Sequence, residues 1–452
     1  MSDRDLNITR RDFLNAVLLG TGALLLELPA PARLLAQAQS WYGYGGVGDY
    51  AASHGNTEEI IRILKKIQQG QYNRPQDNVI DTGETFDLVV VGGGLSGLSA
   101  AYQFRKDARS GQKCLILENH PIFGGHAKRN EFMVNGYKLT GPQASNSFAV
   151  VNREGTVENE VFSDLKIPRT FSYQELSPEL DRLPLDRTSY GFMLWQDISP
   201  SVGFFFDQGE SSYWVIDPWG KKLKKAPYSR KVKRDFLTWR NTEKRYYRRA
   251  DFQQWLDTMT YSEYLEKTVG LSSEVPEFAN PIIASALGLG SDAISAYGAY
   301  QIGMPGFKGF GRWTGTRRLD ETDWHSFPGG NDGFTRYLVK ALIPGAIDGS
   351  YSFSDILNRP VNLGALDNPA NDVRMRLRAT VVRVEHDALP ERSGHVLVTY
   401  VKNGQAYQLK AKAVVMASAS WTTRHIVKDL PDNHKSAYEK FFYSPVLVVN
   451  VA

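Results

Sequence analysis

Residues Phe86-Asp87-Leu88-Val89-Val90-Val91-Gly92-Gly93-Gly94-Leu95-Ser96-Gly97-Leu98-Ser99-Ala100-Ala101 leave the chain few ways to fold. The apolar run predicts a buried strand, and the small-residue stretch after Gly97 predicts a helix packed closely against it. Between them lies Gly92-x-Gly94-x-x-Gly97, with Gly93 inside the turn. The first glycine permits a tight turn, the second lets backbone approach a diphosphate, and the third lets helix and strand touch. The unpaired N–H groups of the helix start then receive the phosphates. A second apolar strand, Lys113-Cys114-Leu115-Ile116-Leu117, ends at Glu118, 21 residues past Gly97. A carboxylate at that distance bonds ribose hydroxyls and repels a 2′-phosphate. Residues 86–118 thus read as a β-α-β dinucleotide unit.

Glu118 is followed by Asn119-His120-Pro121-Ile122-Phe123-Gly124-Gly125-His126-Ala127-Lys128-Arg129. This resembles the second glycine motif of flavin amine oxidases and phytoene-desaturase-like enzymes. The resemblance implies FAD as cofactor, with Gly124, Gly125 and His126 lying along it. By the same resemblance, Arg376 to Val384 is a strand beside the adenine, with Val381 in contact. Lys412 to Ser418 is the strand that returns to the flavin, with Ala417 at the site.

A narrower resemblance is carried by Phe123-Gly124-Gly125-His126-Ala127-Lys128-Arg129-Asn130-Glu131-Phe132, by His325-Ser326-Phe327-Pro328-Gly329-Gly330-Asn331 and by Leu338-Val339-Lys340-Ala341-Leu342-Ile343-Pro344. These look like bacterial spermidine-dehydrogenase-type flavoproteins over most of residues 80–452, more specifically in the flavin half than across 150–320. The resemblance implies an α/β fold, a Rossmann-like FAD-binding domain with an inserted α+β substrate domain. It also implies an amine dehydrogenase that moves a hydride from a carbon bearing nitrogen to flavin N5, with an electron acceptor other than oxygen. His325 is a candidate active-site residue, with a hydrogen-bonded loop histidine as the alternative. Asp323 is a candidate partner for a cationic amine, with a solvated acid as the alternative. Oxidation of an alcohol, sugar or unsaturated carbon by FAD, or a non-catalytic homologue, are the competing readings.

The N-terminus carries an address of its own. Thr9-Arg10-Arg11-Asp12-Phe13-Leu14 precedes a moderately apolar Ala16–Leu28 stretch, interrupted by Gly20, Gly22 and Glu27, and then Ala36-Gln37-Ala38. Thirteen residues are too few to span a bilayer, which takes about 20. The order resembles a twin-arginine signal peptide, implying recognition by the twin-arginine export machinery, a periplasmic location and a cargo folded around its cofactor. The expected divisions are a signal peptide at 1–38, a lead-in and helix at 39–85, an FAD-binding segment at 86–150, a substrate domain at 151–326 and a return to the FAD-binding domain at 327–452. Asn56 and Glu59 predict the start of the lead-in helix, and residues 71–85 read as a polar linker. After Pro445-Val446-Leu447-Val448-Val449-Asn450-Val451-Ala452 the resemblance implies a further Gly-Asp segment and a terminal helix, so the expectation is a C-terminally incomplete chain.

Composition removes other classes. The only cysteine, Cys114, excludes an intrachain disulfide and a cysteine-based metal cluster. The eight histidines include no His-x-His or His-x-x-x-His pair, so no metal is expected. With 53 basic against 49 acidic residues, a general nucleic-acid binder is not expected. Lys221 to Arg249, however, holds thirteen basic and two acidic residues. That block reads as a docking face for an anionic membrane surface or an electron-accepting partner, or as a solvated face paired with acids elsewhere.

Overall fold

A computed structural model describes residues 47–51, 53, 55–150, 154–170, 203–207, 209–311, 324–441, 443–444 and 447–450. The export signal at 1–38, Asp323 and part of the terminal apolar segment lie outside the described residues.

Helix α1 spans Glu58–Gln68. Its cap is the Thr57 hydroxyl, which accepts from the Ile60 N–H at 3.2 Å, rather than Asn56. Asn56 is engaged elsewhere, with its amide oxygen 3.1 Å from His120 Nε2. Glu58 and Glu59 in the first turn and Lys65 and Lys66 in the last complement the helix dipole. Ile60, Ile63 and Ile67 form the buried face.

Strand β1 spans Val79–Val91 and is longer than its apolar half suggests. The expected linker supplies its first residues, whose side chains are largely half-buried or exposed. Helix α2 (Leu95–Asp107) and strand β2 (Cys114–Leu117) complete the β-α-β unit. A hairpin follows, β3 (Arg129–Val134) against β4 (Tyr137–Pro142). Strand β5 (Phe148–Ala149) comes next, and then a second hairpin, β6 (Gly203–Phe206) against β7 (Tyr213–Ile216). Helices α3 (Arg230–Asn241) and α4 (Glu274–Leu287) belong to a separate core. The chain returns through β8 (Trp324–His325), which pairs with β5, and helix α5 (Asp332–Leu342). Strands β9 (Val373–Arg376), β10 (Thr380–His386), β11 (Val396–Lys402) and β12 (Gln405–Met416) finish the main sheet.

That sheet has the order β10-β11-β12-β1-β2-β9. The pairs β12/β1, β1/β2 and β2/β9 are parallel, whereas β10, β11 and β12 form an antiparallel meander. The expected short strand at 413–417 is the C-terminal end of a 12-residue one. β12 carries β11 on one side and β1 on the other, which also explains why the polar start of β1 is a strand.

Alternation along β1 loads both faces. Leu88 and Val90 join Leu98, Cys114, Ile116, Tyr337 and Val339 in one core. Val89 and Val91 join Ile63, Ile67, Leu115, Leu117, Val382 and Val398 on the other. Each of these buried β1 side chains contributes about 2 kcal/mol by leaving water. Both faces covered is the normal state of a parallel sheet. A third core lies wholly within residues 223–310, built on Trp239, Phe236, Tyr261, Tyr264 and Phe307. The fold is α/β, with a Rossmann-like dinucleotide-binding subdomain and an additional region of helices with a small hairpin.

Candidate dinucleotide site

The loop after β1 is built by what its glycines lack. Gly92 has φ +113°, and a Cβ there would meet the Ala417 carbonyl oxygen at 2.8 Å. A Cβ on Gly97 would run into the Gly92 carbonyl oxygen. The first turn of α2 therefore seats directly on the loop. Gly94 is the residue before the helix and offers no side-chain cap. The orphan donors of that first turn are left to whatever lies in front of it.

The second glycine motif docks on the first, backbone against backbone. The Gly124 N–H donates to the Gly93 carbonyl at 2.8 Å, and Gly94 and Gly124 form a parallel bridge. Gly124 and Gly125 have φ of +119° and +56°, and a Cβ on Gly125 would stand 3.1 Å from the Gly94 Cα. Four glycines thus make one smooth surface from two segments about thirty residues apart. Ala417 lies against this loop, and its N–H donates to the Val91 carbonyl at 3.0 Å.

Glu118 is 3% exposed at the end of β2. One carboxylate oxygen accepts from the Gly93 N–H at 2.7 Å. The other accepts from the His120 N–H at 2.8 Å and lies 3.1 Å from His120 Nδ1. Burial acts to raise this carboxyl, but the His120 ring and N–H, with the nearby Lys128, outweigh it and hold Glu118 below its ordinary value. Glu118 is thereby an anion fixed beside the loop, suited to accept ribose hydroxyls. Val381 lies in β10, 4% exposed, two residues past Ala379, whose N–H donates to the Glu118 carbonyl at 2.9 Å.

His126 is exposed, and its carbonyl accepts from the Ser145 N–H at 3.0 Å. Lys128 O likewise accepts from the Gln143 N–H at 2.9 Å. Through this pairing the stretch after β4 continues the glycine surface toward the return segment. Ser326 donates to the Asn146 carbonyl at 2.7 Å, and Asn331 donates to Ser145 Oγ at 2.7 Å and to the Ser147 carbonyl at 3.0 Å. His325 arrives beside this stretch through its pairing with Phe148, with the two rings 6.1 Å apart. The structure brings together Gly92, Gly93, Gly94, Gly97, Glu118, Gly124, Gly125 and Ala417. It sets His126 and His325 along one continuation of that surface.

Three features escaped the sequence reading. His120 is the partner of Glu118, two residues on, and adjacency was the available signal. Lys128 is 3% exposed and forms no hydrogen bond or ion pair with a described residue. Its neighbour Arg129 belongs to a sealed ionic cluster with Glu131, Asp332, Tyr50 and Arg336. A lysine-arginine pair ordinarily marks a wet surface, so nothing in the letters signalled either burial.

One family match agrees with this picture at the level of the fold. Residues 90–153 match the model of an NAD(P)-binding Rossmann-like domain. The chain is similar to an electron transfer flavoprotein-ubiquinone oxidoreductase, mitochondrial, from Caenorhabditis elegans, at 27% identity over 143 residues, 28% of this chain and 24% of that protein. Among solved structures it is similar to a candidate protoporphyrinogen oxidase from an Exiguobacterium species, with a TM-score of 0.43, 14% identity and coverage of 80% and 64% of the two chains. It is also similar to a CLA-producing fatty acid isomerase from P. acnes, with a TM-score of 0.37, 12% identity and coverage of 78% and 64%. The chain thus spans about a quarter of that curated relative and just under two thirds of each of those structures. Among the described residues no group of histidine, cysteine and carboxylate side chains could hold a metal, and no helix is long and apolar enough to cross a membrane.

Proposed function

We propose that this chain is an FAD-dependent oxidoreductase that dehydrogenates an amine, exported by the twin-arginine route. The observation that carries the reading is the docking of Gly124-Gly125 on Gly93-Gly94. From that contact, hydrogen bonds from Ser145 to His126 and from Asn331 to Ser147 carry the surface on toward Ser145–Ser147 and Phe327–Asn331. A ligand that needs this extension has a second large group beyond its phosphates, which suits a flavin. The bared glycine backbone fits such a group, because any Cβ at Gly92, Gly97 or Gly125 would meet backbone atoms.

When bound, FAD supplies the two-electron acceptor for a hydride. The chain's own part is to hold the ends. The α2 N-terminus receives the diphosphate, Glu118 accepts from the ribose, and the Ser145–Ser147 and His325–Asn331 stretches border the reacting end. The resemblance to amine-oxidising relatives supports a cationic amine as substrate and a non-oxygen electron acceptor, and the Lys221–Arg249 block is a candidate docking face for that acceptor or for a membrane surface.

The test is spectroscopic. The purified chain is expected to carry flavin absorbance, and anaerobic spermidine or a related polyamine is expected to bleach it. Bleaching by alcohols or sugars but not by amines would move the substrate class. Absence of flavin, together with no uptake of added FAD, would remove the reading.

A further inference from the structure

Lys128 sits where a lysine is costly. Its side chain is 3% exposed, and no hydrogen bond or salt bridge reaches its ammonium from any described residue. A Cβ placed on Gly124 would meet Lys128 Cγ at 2.9 Å, so the lysine stem lies across Gly124. That glycine is the one whose N–H bonds the Gly93 carbonyl in the phosphate loop. The charge it chiefly senses is Glu118, whose own oxygens are already engaged by the Gly93 and His120 N–H groups. Its stem and that charge set Lys128 at the corner between the two glycine motifs and the ribose acid, with no hydrogen-bond partner among the described residues. Burial pulls its pKa down to about 8, against the opposing pull of Glu118.

A charge this deep, without a partner among the described residues, is costly to keep in a fold unless a ligand completes it. The ligand of this loop brings one obvious anion. Glu118 stays ionised beside the lysine, which disfavours a second phosphate on the ribose and leaves the diphosphate. We propose that Lys128 is the counter-charge that the site holds for the diphosphate of its dinucleotide, a binding contact additional to the glycine loop and the helix start. The inference rests on the dinucleotide reading of the site.

The experiment uses the full chain stripped of any bound nucleotide, with adenosine, ADP and FAD as probes. In Lys128→Met the Kd for ADP and FAD rises on the order of thirtyfold or more, as truncation of one partner of a buried charge pair does. Adenosine, which lacks the phosphates, changes by no more than about twofold, near the limit of independent sites. Lys128→Arg keeps the charge and recovers most of the ADP affinity. The ligand-free Lys128→Met protein melts no lower than the wild type, because it has lost an unpaired charge and not a contact.

Equal binding of ADP by wild type and Lys128→Met overturns the inference. So does an equal loss for adenosine and ADP, which would place the lysine's effect at the ribose through Glu118. A lower melting temperature in Lys128→Met, with ADP affinity retained, would assign the lysine to the fold. If the wild type binds neither ADP nor FAD, the dinucleotide reading itself has failed, and that outcome is told apart by needing no variant.

Discussion

Lys128 and Arg129 are adjacent, both basic and both buried, yet they live in opposite electrostatic worlds. Lys128 has extended backbone, φ −58° and ψ 151°, so successive side chains leave the chain in opposite directions. Arg129 enters a closed cluster. Its guanidinium donates to Glu131 at 3.0 and 2.7 Å and lies 3.5 Å from Asp332. Tyr50 donates to both oxygens of Asp332, and Arg336 donates to Tyr50 at 3.0 Å and to the carbonyls of Ile356 and Arg359. Burial nevertheless holds the Asp332 carboxyl above its ordinary value, against the pull of both arginines. Tyr50, β3 and α5 are thereby tied together from three distant parts of the chain. One residue away, Lys128 has no such partner among the described residues. The difference separates a charge that holds the fold from one that waits for a ligand.

The largest effect is expected in the closed cluster: Arg336→Met takes a donor from the Tyr50 hydroxyl and from the Ile356 and Arg359 carbonyls, removes a positive charge near Asp332, and lowers stability by about 3–5 kcal/mol. Chemical denaturation of the ligand-free protein measures it. A loss under about 1 kcal/mol would mean that the sealed cluster does not hold the fold.

The next effect belongs to the open charge. The folded Lys128 pKa lies near 8 against 10.5 for the ordinary group, so between those values the unfolded chain binds more protons. Stability of the ligand-free protein therefore rises with pH across that window, by up to about 3 kcal/mol from this group. The groups that face it are Glu118 and, through Glu118, His120. Subtracting the same titration of Lys128→Met isolates the lysine, and two parallel curves would refute its uncompensated burial.

Gly97→Ala tests the loop. Its new methyl meets the Gly92 carbonyl, so α2 must move off the strand, at a cost of about 1–3 kcal/mol. FAD affinity is expected to fall further than that displacement alone would suggest, because the helix start no longer faces the phosphates. The mildest prediction concerns Cys114 in β2. It is fully buried, and burial pushes its thiol up to about 12. Thiol reagents should label it only as fast as the sheet opens, at the same rate with and without bound amine. Rapid labelling of the native protein would show that the sheet beneath the loop is far more open than its packing implies.

Much of the site was legible in the letters. Gly92, Gly94 and Gly97 announced a strand-loop-helix turn because their requirement is local: a positive φ at Gly92, and no room for a Cβ at Gly97. Glu118 followed from its distance along a β-α-β unit. The start of β1 was not legible, since Val79 to Thr85 has no apolar run and becomes a strand only when β12 pairs with it. The helix cap moved from Asn56 to Thr57 for a similar reason, as His120 approaches Asn56 from 64 residues away.

Sequence by itself determined the parts whose physics is confined to a few neighbouring residues. These are the β-α-β unit, the bared loop backbone and the acid that ends the second strand. Tertiary structure alone decided which glycines touch, which strand Val79 joins and which of two adjacent basic residues has partners. Backbone sterics act between bonded neighbours and can be read in order. Solvation and charge pairing depend on groups such as Tyr50 and Asp332, 282 residues apart, that only the folded chain brings together.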